Sequence, residues 1–470
     1  MARYKPVERG GMFIPVVLGE QIQPGTFEFD PRVMLKIVLL AYSRGLISSR
    51  KIEQACEQNV LFMAVSGDSR PSFTHIARFV RELGPEVQAL FKQVLMVCDR
   101  LGLIGKTMFA IDGVKLPCNA SKERSGTHAE LVHRADRLDK AAARIVEAHR
   151  AQDERGDVAP DSQRQRRIDD LKREAQATRE FVATNDRRLN RKGKELKTNI
   201  TDPDSAKMAT SKGVIQGYAA QAAVDSAHQI IVAADVIGSG SEQAMLLPMI
   251  DKAEPVIGPH TLITADAGYH SDANMQALHD RGIAAMVADN GMRQRDERIA
   301  NAHHKAKDDP LYDKTAGKPV KFFRPGDFTF IDDKTAICPA GRTLTGNGHT
   351  YGRHGHRFER YEARAVDCIN CRLRTQCLRN PVATRGRQVA RFAPRQRATG
   401  DPSQRMREAI DSPRGRRLYS QRIATVEPVF ANLRHHKRLS RFTLRGQTKV
   451  STQWQLYCLV HNVEKMARGR

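Results

Sequence analysis

No apolar run in this chain approaches the roughly 20 residues that a helix needs to cross a bilayer, which excludes a helical membrane protein. Residues 1–20 have neither a long apolar stretch nor a small-residue cleavage site, so no signal peptide is expected. Aromatic residues are scarce, 6% of the total with one tryptophan, and Trp454 reads as core packing rather than a base-stacking platform. Acids are also short: 53 Asp plus Glu stand against 77 Lys plus Arg, a net charge of +24. That imbalance says little about fold but concentrates polyanions at the surface, so nucleic acid is the natural partner. The bland alternative is a soluble basic protein with a small anionic substrate. Of the eight cysteines, Cys56, Cys98, Cys118 and Cys458 are isolated, as suits reduced thiols in a cytoplasm. At 470 residues, 40% hydrophobic and 28% charged, the chain is globular and long enough for several domains.

Residues 1–105 read as a helical domain. Asp30-Pro31 opens a helix through Met34, Leu35, Val38, Leu39 and Tyr42, and Ser48 or Ser49 caps a second with Ile52, Ala55 and Cys56. Ser72 caps a third, whose apolar stripe includes Phe73, Ile76, Val80 and Leu83 before Gly84 ends it. Its other face carries Thr74, His75, Arg78 and Arg81. This is a helix-turn-helix pattern in which Arg78 and Arg81 would meet DNA, although a plain helical bundle looks the same.

Residues 106–119 hold a short strand ending in Asp112, and 120–197 a charged insertion. Leu138, Ala141, Ala142 and Ile145, then Ile168, Leu171, Ala175 and Val182, mark two helices of an αα-hairpin joined by the Gly156–Pro160 loop. A solvated arm and a surface that tracks phosphates are both open readings. From 198 to 290 the pattern becomes α/β: strands over 217–225 and 229–236, a helix over 242–257, a strand over 260–265 ending at Asp266, a helix over 272–281 and a strand over 284–288. That order predicts an RNase H-like mixed sheet with the two aspartates side by side. Residues 291–413 form a polar insertion, and 414–470 return to helix, over 414–438 and 452–466. Pro428 either kinks the first of these or starts a new segment.

The chemistry centres on three acids, Asp112, Asp266 and Glu427. If they converge they can hold two divalent cations about 3.5–4 Å apart, one at the attacking and one at the leaving oxygen of a phosphodiester. Mg²⁺ takes carboxylate oxygens and only one or two carboxylates per ion, so three acids suffice if one bridges. Taken singly, each aspartate could simply cap a turn and Glu427 could be solvated. Around Glu427 lie Tyr419, Arg422, Arg434, Lys437 and Arg438, groups able to grip phosphates. Cys338, Cys368, Cys371 and Cys377 include a CxxC pair and loosely resemble a structural zinc site, with unligated thiols as the alternative.

Together, the segments 110–121, 199–205, 217–225, 264–269 and 425–430 resemble the DDE transposases of bacterial insertion sequences, in the group with a C-terminal Tyr–Arg–Glu–Lys signature. The resemblance covers most of the chain. It implies Asp112, Asp266 and Glu427 as catalytic, metal-holding acids with two Mg²⁺ or Mn²⁺ ions. It also implies Tyr419 and Arg422 as contacts to DNA near the cleaved end. The fourth signature position falls on Arg434 rather than Lys, and four residues separate Arg422 from Glu427 where the broader signature has three. The expected function is that of a cytoplasmic, nucleoid-associated enzyme that binds terminal inverted repeats of double-stranded DNA. It would act as a homodimer on paired ends, cutting and joining strands, with no membrane involved. A nuclease of the same fold that does not join, and a non-catalytic DNA-binding derivative, are the rivals.

Overall fold

A computed structural model describes residues 29–153, 162–190, 193–210, 213–296, 322–353, 356–382, 384–392 and 400–468. The N-terminal residues 1–28 and the 156–160 loop lie outside the described residues. The chain divides into two compact units, one of residues 1–295 with 405–470 and one of 296–404.

In the larger unit the chain begins with five helices. Helix α1 (Pro31–Ser43) starts where Asp30 accepts from the amide of Arg32 at 2.8 Å, and α2 (Ser49–Gln58) follows. Asn59 interrupts the helical run and caps α3 (Val60–Ser66), an element the apolar pattern alone did not separate. Ser72 caps α4 (Phe73–Glu82), and Pro85 opens α5 (Pro85–Arg100). These helices share one hydrophobic core with the sheet and with the last helix, α14 (Gln447–Arg468), rather than enclosing one of their own. Tyr42 of α1 stacks on Tyr457 of α14 with centroids 4.4 Å apart.

Strand β1 (Met108–Pro117) is longer than expected because its neighbour β3 (Gly213–Asp225) pairs with it as far as Gly217. Before β3 come the insertion helices α6 (His128–Asp153) and α7 (Ser162–Thr184) and the short strand β2 (Ala206–Thr210). Three ion pairs join the two insertion helices: Arg179 meets Asp136 and Asp139 at 2.9 and 2.6 Å, and Arg134 meets Glu174 at 2.8 Å. Strand β4 (Ile231–Ile237) returns from a hairpin in which Asp225 accepts from the amides of Gly105, Lys106, Ala227 and His228. The expected helix over 242–257 is shorter. A 3₁₀ turn at Gln243–Met245 leads into α8 (Leu246–Ala253), and Pro255 sits in a second 3₁₀ turn, Glu254–Val256. Strand β5 (Leu262–Ala265), α9 (Asp272–Asp280) and β6 (Ala285–Val287) follow.

The sheet runs β2–β3–β1–β5–β6, with β4 also paired to β3. Strand β3 is antiparallel to β1 and β4, whereas β1, β5 and β6 are mutually parallel. This is an RNase H-like core. It is buried on both faces, as its nearly unbroken apolar strands require.

The smaller unit has a five-stranded antiparallel sheet of β7 (Thr329–Phe330), β8 (Thr335–Ile337), β9 (Thr343–Arg353), β10 (His356–Ala363) and β11 (Gln388–Phe392). Two short helices, α10 (Ala365–Ile369) and α11 (Arg374–Cys377), lie between β10 and β11. Its core is small, built on Phe328, Ala336, Leu344, Tyr361, Ala363 and Val389.

After α12 (Pro402–Asp411), helix α13 (Pro413–Ala431) runs straight through Pro428 and passes into a π turn, Asn432–His436. Proline offers no amide to the carbonyl four residues back. The freed carbonyl of Ala424 accepts instead from Gln229 Nε2 at 3.3 Å, so the β3–β4 hairpin satisfies what Pro428 leaves open.

Candidate active site

The register of the parallel pair β1–β5 sets Ile111 beside Ala265. The next residue on each path is an acid, so Asp112 and Asp266 leave neighbouring strands about 5 Å apart. Each turns one oxygen onto local backbone: Asp112 Oδ1 accepts from Gly113 N at 2.8 Å, and Asp266 Oδ1 from Gly268 N at 2.8 Å. The other oxygen of Asp112 pairs with Arg422 Nη1 of α13 at 2.5 Å. The Arg422 guanidinium also lies 5.6 Å from the ring centre of Tyr419.

A third acid stands against this pair. Glu242 precedes the turn into α8, and its carboxylate faces the glycines that follow the two aspartates. A Cβ added at Gly113 would lie 2.8 Å from Glu242 Oε1, and one at Gly268 would lie 3.1 Å from Oε2 and 2.9 Å from Asp266 Oδ1. Behind them the buried Gln221, opposite Gly113 on β3, accepts the Tyr269 hydroxyl on its side-chain oxygen. Trp454 holds the same strand through a 2.8 Å bond from Nε1 to the Gln221 carbonyl, which places the lone tryptophan in the core.

Crowded, half-buried acids shift one another's ionisation. Burial pushes the Asp112 carboxyl up; Arg422 and the Gly113 amide pull it back, and Asp266 pushes it further. Burial raises Glu242 too, then Asp266, with Lys115 working against them and Asp112 adding to the rise. The Tyr269 phenol is driven well above its usual value by burial and then by Glu242, Asp112 and Asp266. Among the described residues, no three His, Cys, Asp or Glu side chains stand ready-made to hold a metal ion.

Several of the residues expected from sequence sit elsewhere. Glu427 is exposed on α13. Five residues beyond Arg422, it lies about 140° round the helix from the side chain that reaches Asp112. Lys437 was expected to grip phosphate, but it is 1% exposed and bonded to Glu464 Oε2 at 2.5 Å, so it cannot reach a backbone of DNA. Arg422 is likewise buried and engaged with Asp112. Arg434 and Arg438 are exposed, in and just after the π turn. Arg78 and Arg81 lie on the outer face of α4, both bridged to Glu82 at 3.1 and 3.3 Å. In the smaller unit, Cys338, Cys368, Cys371 and Cys377 line one small pocket.

Glu242 escaped the sequence reading because the Gly238–Ser241 loop before it carries no chemical motif. Gln221 offered a signal: it is the one amide side chain between Gly217 and Asp225, in an otherwise apolar strand.

Three family models match the chain in succession. Residues 18–82 match a transposase domain (DUF772), while 184–336 and 337–467 each match a transposase DDE domain. The chain is a DDE transposase of the insertion-sequence kind. The two DDE matches contain Asp266 and Glu427, and Asp112 lies in the stretch between the first match and the second. No match was found among curated proteins. The transposase has no described helix long and apolar enough to cross a membrane.

Proposed function

We propose that this transposase binds the terminal inverted repeats of its element and, with Mg²⁺ or Mn²⁺, cuts the strand at each end and joins the exposed 3′-OH to target DNA. The observation that carries the proposal is the pairing of β1 with β5, which sets two half-buried aspartates side by side, each followed closely by glycine. The donors are all hard carboxylate oxygens, the kind these ions select, and the two glycines leave room that a side chain would fill. Asp112 and Asp266 would hold the ions. When bound, the ions would lower the pKa of the attacking water or hydroxyl and offset charge on the leaving oxygen.

The protein's own share is positional. The parallel strands fix the aspartates, and Gln221 with Tyr269 supports the floor of the site. Arg422 neutralises Asp112 in the ion-free state; the family resemblance assigns it, with Tyr419, to DNA near the cut, which requires it to leave Asp112. The family resemblance assigns Glu427 as a further acid; to reach the aspartates, α13 must rotate or shift. DNA grip falls to exposed cations, Arg434 and Arg438 beyond α13 and Arg78 and Arg81 on α4. Paired ends suit a homodimer, with one active site per end.

The test uses pre-cut end DNA and a plasmid with the purified protein. Joined products are expected from the wild type, and Asp112→Asn should abolish both cleavage and joining while end-binding persists. Hydrolysis without joined products would point to the nuclease reading, and loss of end-binding in Asp112→Asn would give that residue a structural role.

In the smaller unit we propose structural Zn²⁺ on Cys338, Cys368, Cys371 and Cys377. Three local features support it: Arg342 N donates to Cys338 Sγ at 3.3 Å, Arg387 N donates to Cys368 Sγ at 3.5 Å, and Gly341, at φ +75°, turns the chain back over Cys338. Backbone amides that donate to sulfur would orient these side chains as ligands.

A further inference from the structure

We infer that the sheet of the smaller unit carries a platform for single-stranded DNA, built on Tyr351, Phe358 and Phe392. The strand register aligns the three: Tyr351 of β9 stands opposite Phe358 of β10, and Phe358 opposite Phe392 of β11. Their rings form one row, with centroids 5.6 Å apart for the first pair and 5.3 Å for the second. Side chains alternate between the two faces of a strand. Tyr361, Ala363 and Val389 face the small core, so Phe358 and Phe392 take the other face of the sheet. None of the three aromatics belongs to that core, and Phe392 is 55% exposed.

Cross-strand aromatic pairs also stabilise a sheet, and that alone would explain a half-buried row. Two further features point to a ligand. Arg360 rises from the same face of β10, its guanidinium 4.8 Å from the centre of the Tyr351 ring, and among the described residues it makes no hydrogen bond or ion pair. Its donors are therefore available to a phosphate. The surrounding chain is strongly cationic as well. Between Thr335 and Gly400 arginine recurs throughout, and the acids are only Glu359, Glu362 and Asp367. Each of these is engaged: Glu359 accepts from the Tyr361 hydroxyl at 3.0 Å, Glu362 from Gln388 at 3.0 Å, and Asp367 from Arg364 at 2.9 Å. Charge complementarity thus selects a polyanion, and the ring faces select unpaired bases. Bases in a duplex are stacked on one another and leave no face for the row. Strand cutting at the element's ends would supply an unpaired strand; that source rests on the function proposed above, whereas the platform does not.

The test measures binding of the full-length protein to a mixed-sequence single strand and to the corresponding duplex, by fluorescence anisotropy over a range of salt concentrations. Phe392→Ala should weaken single-strand binding by about tenfold or more, the loss of one stacked base, while duplex binding stays within about twofold of wild type. Phe392→Tyr keeps an aromatic face and should bind the single strand like wild type. Arg360→Gln should make single-strand binding less salt-dependent, by about one phosphate contact. Photo-cross-linking to a strand containing 5-iododeoxyuridine should label peptides within 343–392. The inference is overturned if Phe392→Ala binds the single strand like wild type, or if cross-links fall only outside 343–392. It is equally overturned if Phe392→Ala loses duplex binding to the same extent, the mark of a general grip or a folding defect. A smaller oligomer in Phe392→Ala with single-strand affinity unchanged would give the face to a second copy of the chain and overturn it too. Binding rather than cleavage is read throughout, so a failure at the aspartates shows separately.

Discussion

At the scale of single residues, the site depends as much on what is missing as on what is present. Gly113 follows Asp112 within a paired strand, where a side chain would ordinarily favour the extended backbone. Its lack of Cβ matters because Gln221 Nε2 and Glu242 Oε1 would lie 2.5 and 2.8 Å from one. Gly113→Ala should therefore destabilise by about 1–3 kcal/mol through overpacking, and cut cleavage more than its stability cost explains. Urea denaturation alongside single-turnover cleavage would check this; unaltered cleavage would show that the floor of the site yields freely. The sequence made the two aspartates legible, since each ends an apolar run before a glycine. Glu242 was illegible because a lone glutamate beyond a Gly/Ser loop looks like any solvated surface acid. What distinguishes it is the proximity of residues more than a hundred positions away.

Among elements, the junction of α13, the π turn and α14 with the β3–β4 hairpin decides how the C-terminal helices sit on the sheet. His461 of α14 lies at its centre, 2% exposed, with Nε2 donating to the Gln229 carbonyl at 2.9 Å and Nδ1 accepting from Asn432 Nδ2 at 2.8 Å. Both ring nitrogens are used in the neutral form, and burial pulls the imidazole down to about 4 from its ordinary 6.5. In the unfolded chain the ring takes a proton near pH 6.5, whereas in the folded protein it does so only near 4. Stability from this residue is thus complete above the unfolded value. It is lost as pH falls through that window, by up to about 3 kcal/mol. Chemical denaturation at pH 7 and pH 5 should show the loss, and His461→Gln should flatten it. A pH response unchanged in His461→Gln would assign acid sensitivity elsewhere. The same junction explains why Pro428 neither ends α13 nor begins a new segment: the hairpin's Gln229 takes up the carbonyl that proline abandons. Local propensity could not foresee a donor 195 residues distant in the chain.

For the molecule as a whole, the division into two units sets separate conditions for stability. The larger unit has an extensive core shared by the N-terminal helices, the sheet and the C-terminal helices. Among the described residues of the smaller unit, six buried apolar side chains form its core, a small one, so an additional cross-link is physically expected. If zinc provides it, the purified protein should carry one zinc per chain by elemental analysis. A strong chelator should then expose four more reactive thiols and open proteolytic sites within 296–404 while the larger unit stays intact. Protein that contains no zinc when purified without chelator, and whose thiols react equally with and without one, would rule the cross-link out. Of the N-terminal helices, α1 and α5 pack against α14, whereas α2, α3 and α4 pack mainly against one another and α1. A stripe announces that a face is covered but not by what.

The sequence by itself determined the element types of the larger unit's sheet, the two aspartates that close apolar runs and the basic balance that points to DNA, because periodicity, turn residues and charge are local properties; the sheet of the smaller unit, in a stretch read only as a polar insertion, it did not. Tertiary structure alone decided which acids meet, that Lys437 is a core ion pair rather than a phosphate ligand, and that Arg422 reaches Asp112. Those outcomes depend on the rotation of helices about their axes against the sheet. A helix places residues only 100° apart, so a shift of one position exchanges a buried contact for an exposed one.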